Sequence, residues 1–195
     1  MPPVLYLLDG HALAYRAYFA ITAGAGNREL KTSYGETTSG VFGFASVVLR
    51  LLAQEHPEYL AIAFDAGRTF RNDLYPEYKA TRAKMPDDLR TQMDRVRELV
   101  DAFGFPRLEV DGVEGDDVLG TIARQAEGKG LAVKIVTGDR DLFQLVGERI
   151  AVSLAVPKRK LEDAEDFTPQ EVFRTMGVRP DQIVDFKALA GDHSD

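Results

Sequence analysis

The stretch Val110–Ala126, VDGVEGDDVLGTIARQA, sets Glu114, Asp116 and Asp117 side by side where an amphipathic helix begins. Carboxylates about 5 Å apart, at an effective dielectric near 20, repel by roughly 3 kcal/mol per pair, so a fold that accepts the arrangement needs a counterion. Acids recur in comparable settings at Asp9, Asp65, Asp139/Asp141 and Asp192/Asp195. Hard oxygen ligands with no His or Cys among them point to Mg²⁺ or Mn²⁺, and so many carboxylates point to two ions. Two ions about 4 Å apart can clamp the attacking and leaving oxygens of a phosphodiester, one activating the water and both stabilising the charge that grows on the phosphate. Taken singly, an Asp at a strand end or helix start is usually a turn or cap residue, and Asp-x-Asp is common in surface loops. Recurrence of the same exception at strand after strand is what favours the chemical reading.

Competing chemistries lack their residues. The chain has no cysteine, which removes thiol nucleophiles, disulfides and thiolate zinc sites and makes a reducing cytoplasm the expected location. His11, His56 and His193 have no serine-triad context, and no Gly-x-x-x-x-Gly-Lys-Ser/Thr loop is present. Asp9 is followed by Gly10 and His11, whereas a phosphoaspartyl phosphatase wants a second Asp two residues on.

The elements that must position these acids are legible as runs. VLYLLD (4–9), LAIAFDAG (60–67) and LAVKIVTGDRD (131–141) are apolar stretches ending in acids, and RIAVSLAV (149–156) is similar without the acid. Such Val/Ile/Leu-rich runs read as strands buried on both faces, hence parallel. Helical periods fall at 40–54, at 86–105 (Leu89, Met93, Val96, Val100 and Phe103 on one stripe), at 116–130, and at a last helix ending at Gly191. FTPQEVFRTMG offers a capping box, Thr168 with Glu171, and Pro169 at the first helical position. Alternating strands and helices predict a single α/β domain over 1–195, a mainly parallel sheet flanked by helices with right-handed crossovers. Residues just past the carboxyl ends of parallel strands gather on one edge, so Asp9, Asp65 and Asp139/Asp141 should converge, with Glu114 and Asp117 sharing one face of a helix start.

Residues 68–88, RTFRNDLYPEYKATRAKMPDD, are too long for an idle loop and poor in aliphatics. Arg68, Arg71, Lys79, Arg82 and Lys84 alternate with Phe70, Tyr75 and Tyr78, the cation-plus-aromatic mixture that grips a single nucleic-acid strand. Lys79 and Arg82 are candidates to stabilise a scissile phosphate, and Tyr78 is a candidate for stacking. The net charge of −7 over 195 residues does not argue against such a partner, because setting aside the nine clustered acids leaves +2. No run of about 18 apolar residues occurs, so no membrane span is expected.

LLDGHALAYR, FDAGRTFRNDLYPEYKATR, GVEGDDVLGTIA, TGDRDLFQL and FKALAGDHSD, in this order, resemble the motifs of the structure-specific 5′-nucleases. These comprise the flap endonucleases and the 5′→3′ exonuclease domain at the start of bacterial DNA polymerase I, the nearer of the two. The resemblance covers about Val4 to Asp195 and implies a PIN-like fold and Mg²⁺- or Mn²⁺-dependent hydrolysis of DNA near a free 5′ end, at a flap, nick or primer junction. It implies metal positions at Asp9, Asp65, Glu114, Asp116, Asp117, Asp139, Asp141, Asp192 and Asp195, the first four serving an inner, more catalytic ion and the last four an outer one. YKATR resembles the family's helical arch, which carries a catalytic role onto Lys79 and phosphate contacts onto Arg82. Arg16 matches a further phosphate contact, and Arg71 lies in the same basic insert.

Two departures from the family accompany the resemblance. Gly115 stands where the family's Glu-Ala-Asp-Asp has alanine, a change expected to have little effect, and the family's glycine-rich helix–hairpin–helix is expected beyond Asp195, where this sequence stops. A polymerase domain on the same chain and a monomeric state are expectations of the resemblance. Two other readings stay open: a DNA-binding module without catalysis, and a PIN-type ribonuclease.

Overall fold

The computed structural model describes residues 3–23, 30–154 and 166–191. Strands β1 (Val4–Asp9), β2 (Tyr59–Ala63), β3 (Arg107–Leu108), β4 (Ala132–Thr137), β5 (Ile150–Leu154) and β6 (Asp166–Phe167) form one sheet in the order β3-β2-β1-β4-β5-β6. All pairings are parallel except β5 with β6. The helices are α1 (Gly10–Thr22), α2 (Ser39–Glu55), α3 (Phe70–Leu74), α4 (Asp87–Ala102), α5 (Gly115–Gly128), α6 (Pro169–Met176) and α7 (Ile183–Ala190). Among the described residues no helix is long and apolar enough to cross a membrane.

The strands alternate their side chains between two cores. Leu7, Ala61, Ala63, Val133, Ile135 and Val152 pack on one face against Leu119, Ala123 and Ala126 of α5 and against Phe143. Tyr6, Leu8, Ile62 and Val136 pack on the other against Leu13 and Ala14 of α1, Phe44 and Val48 of α2, and Met93 and Val96 of α4. This is a three-layer α/β/α domain with the sheet buried on both sides, the reason its strands are apolar at nearly every position. Close helix crossing depends on a small residue at Gly43, where a Cβ would sit 2.5 Å from the Cβ of Ala17.

Several elements differ from the sequence expectation. Helix α1 follows β1 with no intervening loop, capped by Asp9, whose side chain accepts the Ala12 amide. The insert 68–88 is helical only over Phe70–Leu74 and then turns repeatedly through residues 76–81. At α6 the cap is Thr168 and Pro169 is first, but the Thr168 hydroxyl meets the Glu171 carboxylate instead of the backbone, so the reciprocal capping box does not form.

Candidate active site

The central strands deliver acids to one edge, as the parallel topology requires. Asp9 is the last residue of β1, Asp65 lies two residues past β2, and Asp139 lies two residues past β4. Their charges act on one another and on Asp116, in the first turn of α5. Burial first, and then Asp9, Asp139 and Asp65, push the Asp116 carboxyl up to about 8, with Lys79 opposing. Burial likewise raises Asp9 to about 6, its hydrogen bonds from Ala12 and Thr137 holding it down and Asp65 and Asp139 adding to the rise. Four acids from four separate stretches of chain therefore lie close enough to act on one another electrostatically.

The carboxylates of Asp9 and Asp65 accept from neutral donors. Asp9 Oδ1 accepts the Ala12 amide at 2.9 Å, and Oδ2 accepts the Thr137 hydroxyl at 2.7 Å. Asp65 lies beyond the strand ladder, so other groups hold its backbone. Its N–H donates to His11 Nδ1 at 3.1 Å, its carbonyl accepts from Arg97 at 3.4 Å, and its Oδ1 accepts the Gly115 amide at 2.6 Å. Because His11 Nδ1 accepts, it carries no proton there, and burial keeps the ring below its ordinary pKa. The 3.9 Å approach of His11 to Asp65 Oδ2 is accordingly not an ion pair. Neither His11 nor Thr137 was legible as a site residue: one looks like part of a helix start, the other like any β-branched strand terminus.

Gly115 is more than a tolerated helix starter, because a Cβ there would lie 3.1 Å from Asp65 Oδ1. The Asp65 side chain is 43% exposed and has room to yield by the few tenths of an ångström required.

The remaining predicted ligands are taken by cations. Arg71 grips Asp117 with both guanidinium nitrogens, at 2.5 and 2.8 Å, and stands 3.7 Å from Glu114. Lys79 Nζ donates to Glu114 Oε1 at 2.9 Å and the Tyr78 hydroxyl to Oε2 at 3.2 Å. Asp141 bonds to Lys187 of α7. Glu114, expected beside Asp9, Asp65 and Asp116, is bonded to Lys79 and Tyr78 of the insert, and among the described residues no three such side chains are grouped so as to hold a metal ion. Arg71, Lys79 and Lys187 are the counterions of Asp117, Glu114 and Asp141. Asp192 and Asp195 lie outside the described residues.

The predicted nucleic-acid contacts surround the acids. Lys79 has φ of 56°, a left-handed conformation costing about 1–2 kcal/mol for an L-residue and concentrated at functional sites. Arg71 lies 4.7 Å from the Phe70 ring and 6.0 Å from the Tyr78 ring, and Lys79 5.1 Å from Tyr78. Arg82 is exposed and close enough to bias Lys79 electrostatically. Arg16 lies across Gly138, whose added Cβ would meet it at 2.4 Å, and it is attracted by Asp139. A groove of about 660 Å³ opens beside the cluster between α5 and the short 3-10 turn Asp141–Leu145, lined by Arg71, Tyr78, Glu114, Asp116, Asp117 and Asp141. Arg71→Lys keeps the charge and loses the two-pronged bond to Asp117. The expected result is a melting temperature about 2–4 °C lower in EDTA by calorimetry, the size of one part-exposed pair.

Residues 4–177 match the 5′-3′ exonuclease, N-terminal resolvase-like domain. The chain belongs to this family. Among relatives of the 5′-3′ exonuclease domain, DNA polymerase I of Chloroflexus aurantiacus is 46% identical over 194 residues, 99% of this chain and 20% of the relative. The thermostable DNA polymerase I of Thermus thermophilus is 45% identical over 190 residues, covering 97% of this chain and 21% of that one. The chain therefore spans about a fifth of the curated relatives it matches. In fold it resembles a T5 5′-exonuclease mutant (TM-score 0.70, 19% identity, 99% of this chain and 64% of that one). It also resembles the catalytic core of Rad2 solved with DNA substrate (TM-score 0.57, 16% identity, 99% of this chain and 55% of that one). The α/β sheet edge read from the acids is thus the edge of a 5′-nuclease domain.

Proposed function

We propose that this domain hydrolyses DNA phosphodiesters near a free 5′ end with two divalent metal ions, as a 5′→3′ exonuclease and 5′-flap endonuclease, in the front part of a DNA polymerase I-like protein that acts in replication and repair. The observation that carries the reading is the placement of Asp9, Asp65, Asp116 and Asp139 at one sheet edge, where burial and then the neighbouring carboxylates raise Asp116 to about 8. Family membership and relatives crystallised with metal ions support it. All four are hard oxygen donors, which suits Mg²⁺ or Mn²⁺. Asp9, Asp65, Glu114 and Asp116 would hold the inner ion and Asp139 and Asp141, with Asp192 and Asp195, the outer one, Asp117 standing beside them. When bound, the ions would supply an activated water and charge stabilisation.

The chain's own residues do the rest. Arg71, Tyr78, Lys79 and Arg82 on the insert and Arg16 on α1 bind the DNA, the cations meeting phosphates and Tyr78 offering a face to a base. Lys79, bonded to Glu114 and near enough to act on Asp116, is placed to stabilise charge on the scissile phosphate. On this reading Arg71 and Lys79 leave their carboxylates when a metal enters and turn to the substrate.

The test is incubation of the purified chain with 5′-flap DNA in Mg²⁺, Mn²⁺, Ca²⁺ and EDTA, beside matched single-stranded RNA. Flap cleavage in Mg²⁺ or Mn²⁺ alone is the expected result. Flap binding in Ca²⁺ with no product in any metal would leave a DNA-binding module, which the pairing of Glu114, Asp117 and Asp141 with cations favours. Preferred cleavage of RNA would make it a ribonuclease. In the same assay Lys79→Ala is expected to lower kcat by on the order of 10²-fold, with a smaller change in KM.

A further inference from the structure

Thr137 ends β4 fully buried, with its hydroxyl between two acids. The hydroxyl donates to Asp9 Oδ2 at 2.7 Å and accepts the Asp139 amide at 3.0 Å. Asp139 hands the constraint on, because its Oδ1 accepts the Asp141 amide at 2.9 Å. One oxygen atom therefore ties the end of β1 to the loop after β4, and through it the position of a third acid.

Only a short hydroxyl side chain does all of this here. A lysine would neutralise the acids and compete with a cation. A valine would fill the same space and leave Asp9 Oδ2 and the Asp139 amide without their bond. Serine would keep both bonds. A neutral hydroxyl orders the carboxylates and leaves their negative charge for an incoming ion. Groups that orient metal ligands in this way are commonly worth 10–100-fold in metal affinity.

We propose that Thr137 is a positioning residue, whose hydroxyl holds Asp9 and Asp139 at the spacing at which they can share a divalent-cation site. The proposal rests on the metal-dependent reading of the site. It is tested with Thr137→Val and Thr137→Ser, titrating each with Mn²⁺ and measuring free Mn²⁺ by electron paramagnetic resonance. Thr137→Val is expected to weaken Mn²⁺ binding by about 10–100-fold, and Thr137→Ser to stay within about threefold of the unmodified chain. Equal affinity in Thr137→Val and the unmodified chain would overturn the role of Thr137 and leave the metal reading standing. Equal weakening in Thr137→Ser and Thr137→Val would also overturn it, because a variant that keeps the hydroxyl would then bind no better than one that lacks it. Failure of the unmodified chain to bind Mn²⁺ would remove the metal reading itself, and this proposal with it.

Discussion

Replacing Asp139 with asparagine is expected to abolish hydrolysis of a 5′-flap DNA in Mg²⁺ while the domain stays folded. Asparagine keeps the size of the side chain and a carbonyl oxygen that can still accept the Asp141 amide, so the loop after β4 retains its shape. What it loses is the negative charge that meets Asp9 and Asp116. If that charge serves a metal that stabilises the transition state by several kcal/mol, its loss costs on the order of 10³-fold in rate. Asp65→Asn should behave alike, since its Oδ1 can still accept the Gly115 amide. Flap cleavage by gel assay, with circular dichroism to establish folding, checks both. Cleavage within a few-fold of the unmodified protein in both variants would contradict the account.

The second large effect concerns stability without metal. Asp116 and Asp9 have folded-state pKa values raised to about 8 and about 6, against 3.8 for an ordinary aspartate. The folded protein binds more protons than the unfolded chain between these limits, so this stabilisation is complete at low pH and disappears as pH climbs through about 6 and then about 8. His11 is pushed the other way by burial and is neutral above its ordinary pKa of 6.5, so it contributes little above that pH. In EDTA, raising the pH from about 6.5 to 9 should therefore cost at most about 2 kcal/mol, or about 4–8 °C in melting temperature for a domain of this size. Divalent cations need the carboxylates ionised, so their stabilising increment should grow over the same window. Calorimetry at both pH values, with EDTA and with Mg²⁺, reads the two trends. Asp116→Asn should flatten the EDTA curve. Asp141 is not the place for that test, because Lys187 already neutralises it and its replacement removes an ion pair. A melting temperature in EDTA that holds steady or rises toward pH 9 would sink the electrostatic account.

The parts of this molecule that could be read from the chain are those whose physics is local. VLYLLD, LAIAF and LAVKIVT announce buried parallel strands because both faces of each are covered, and the acids that end or follow them inherit a common edge from the topology. Helix α1 was hidden because its cap, Asp9, is also a cluster acid and no turn residue separates it from β1. Strands β3 and β6 have two residues each, too few to show a period. The pairings Arg71–Asp117 and Lys187–Asp141 join residues far apart in sequence, and no spacing rule announces them. Glu114 and Asp117, at the start of α5, take Lys79 and Arg71 as counterions, while Asp9, Asp65, Asp116 and Asp139 keep the repulsion that a cation would relieve.

Crystals of the chain grown with Mn²⁺ and measured at the manganese absorption edge give the most direct answer. The account predicts anomalous peaks within about 2.0–2.3 Å of carboxylate oxygens from Asp9, Asp65, Asp116 and Asp139, with Glu114 turned away from Lys79 to join them. Density free of such peaks at saturating Mn²⁺, with Lys79 still bonded to Glu114 and Arg71 to Asp117, would contradict it.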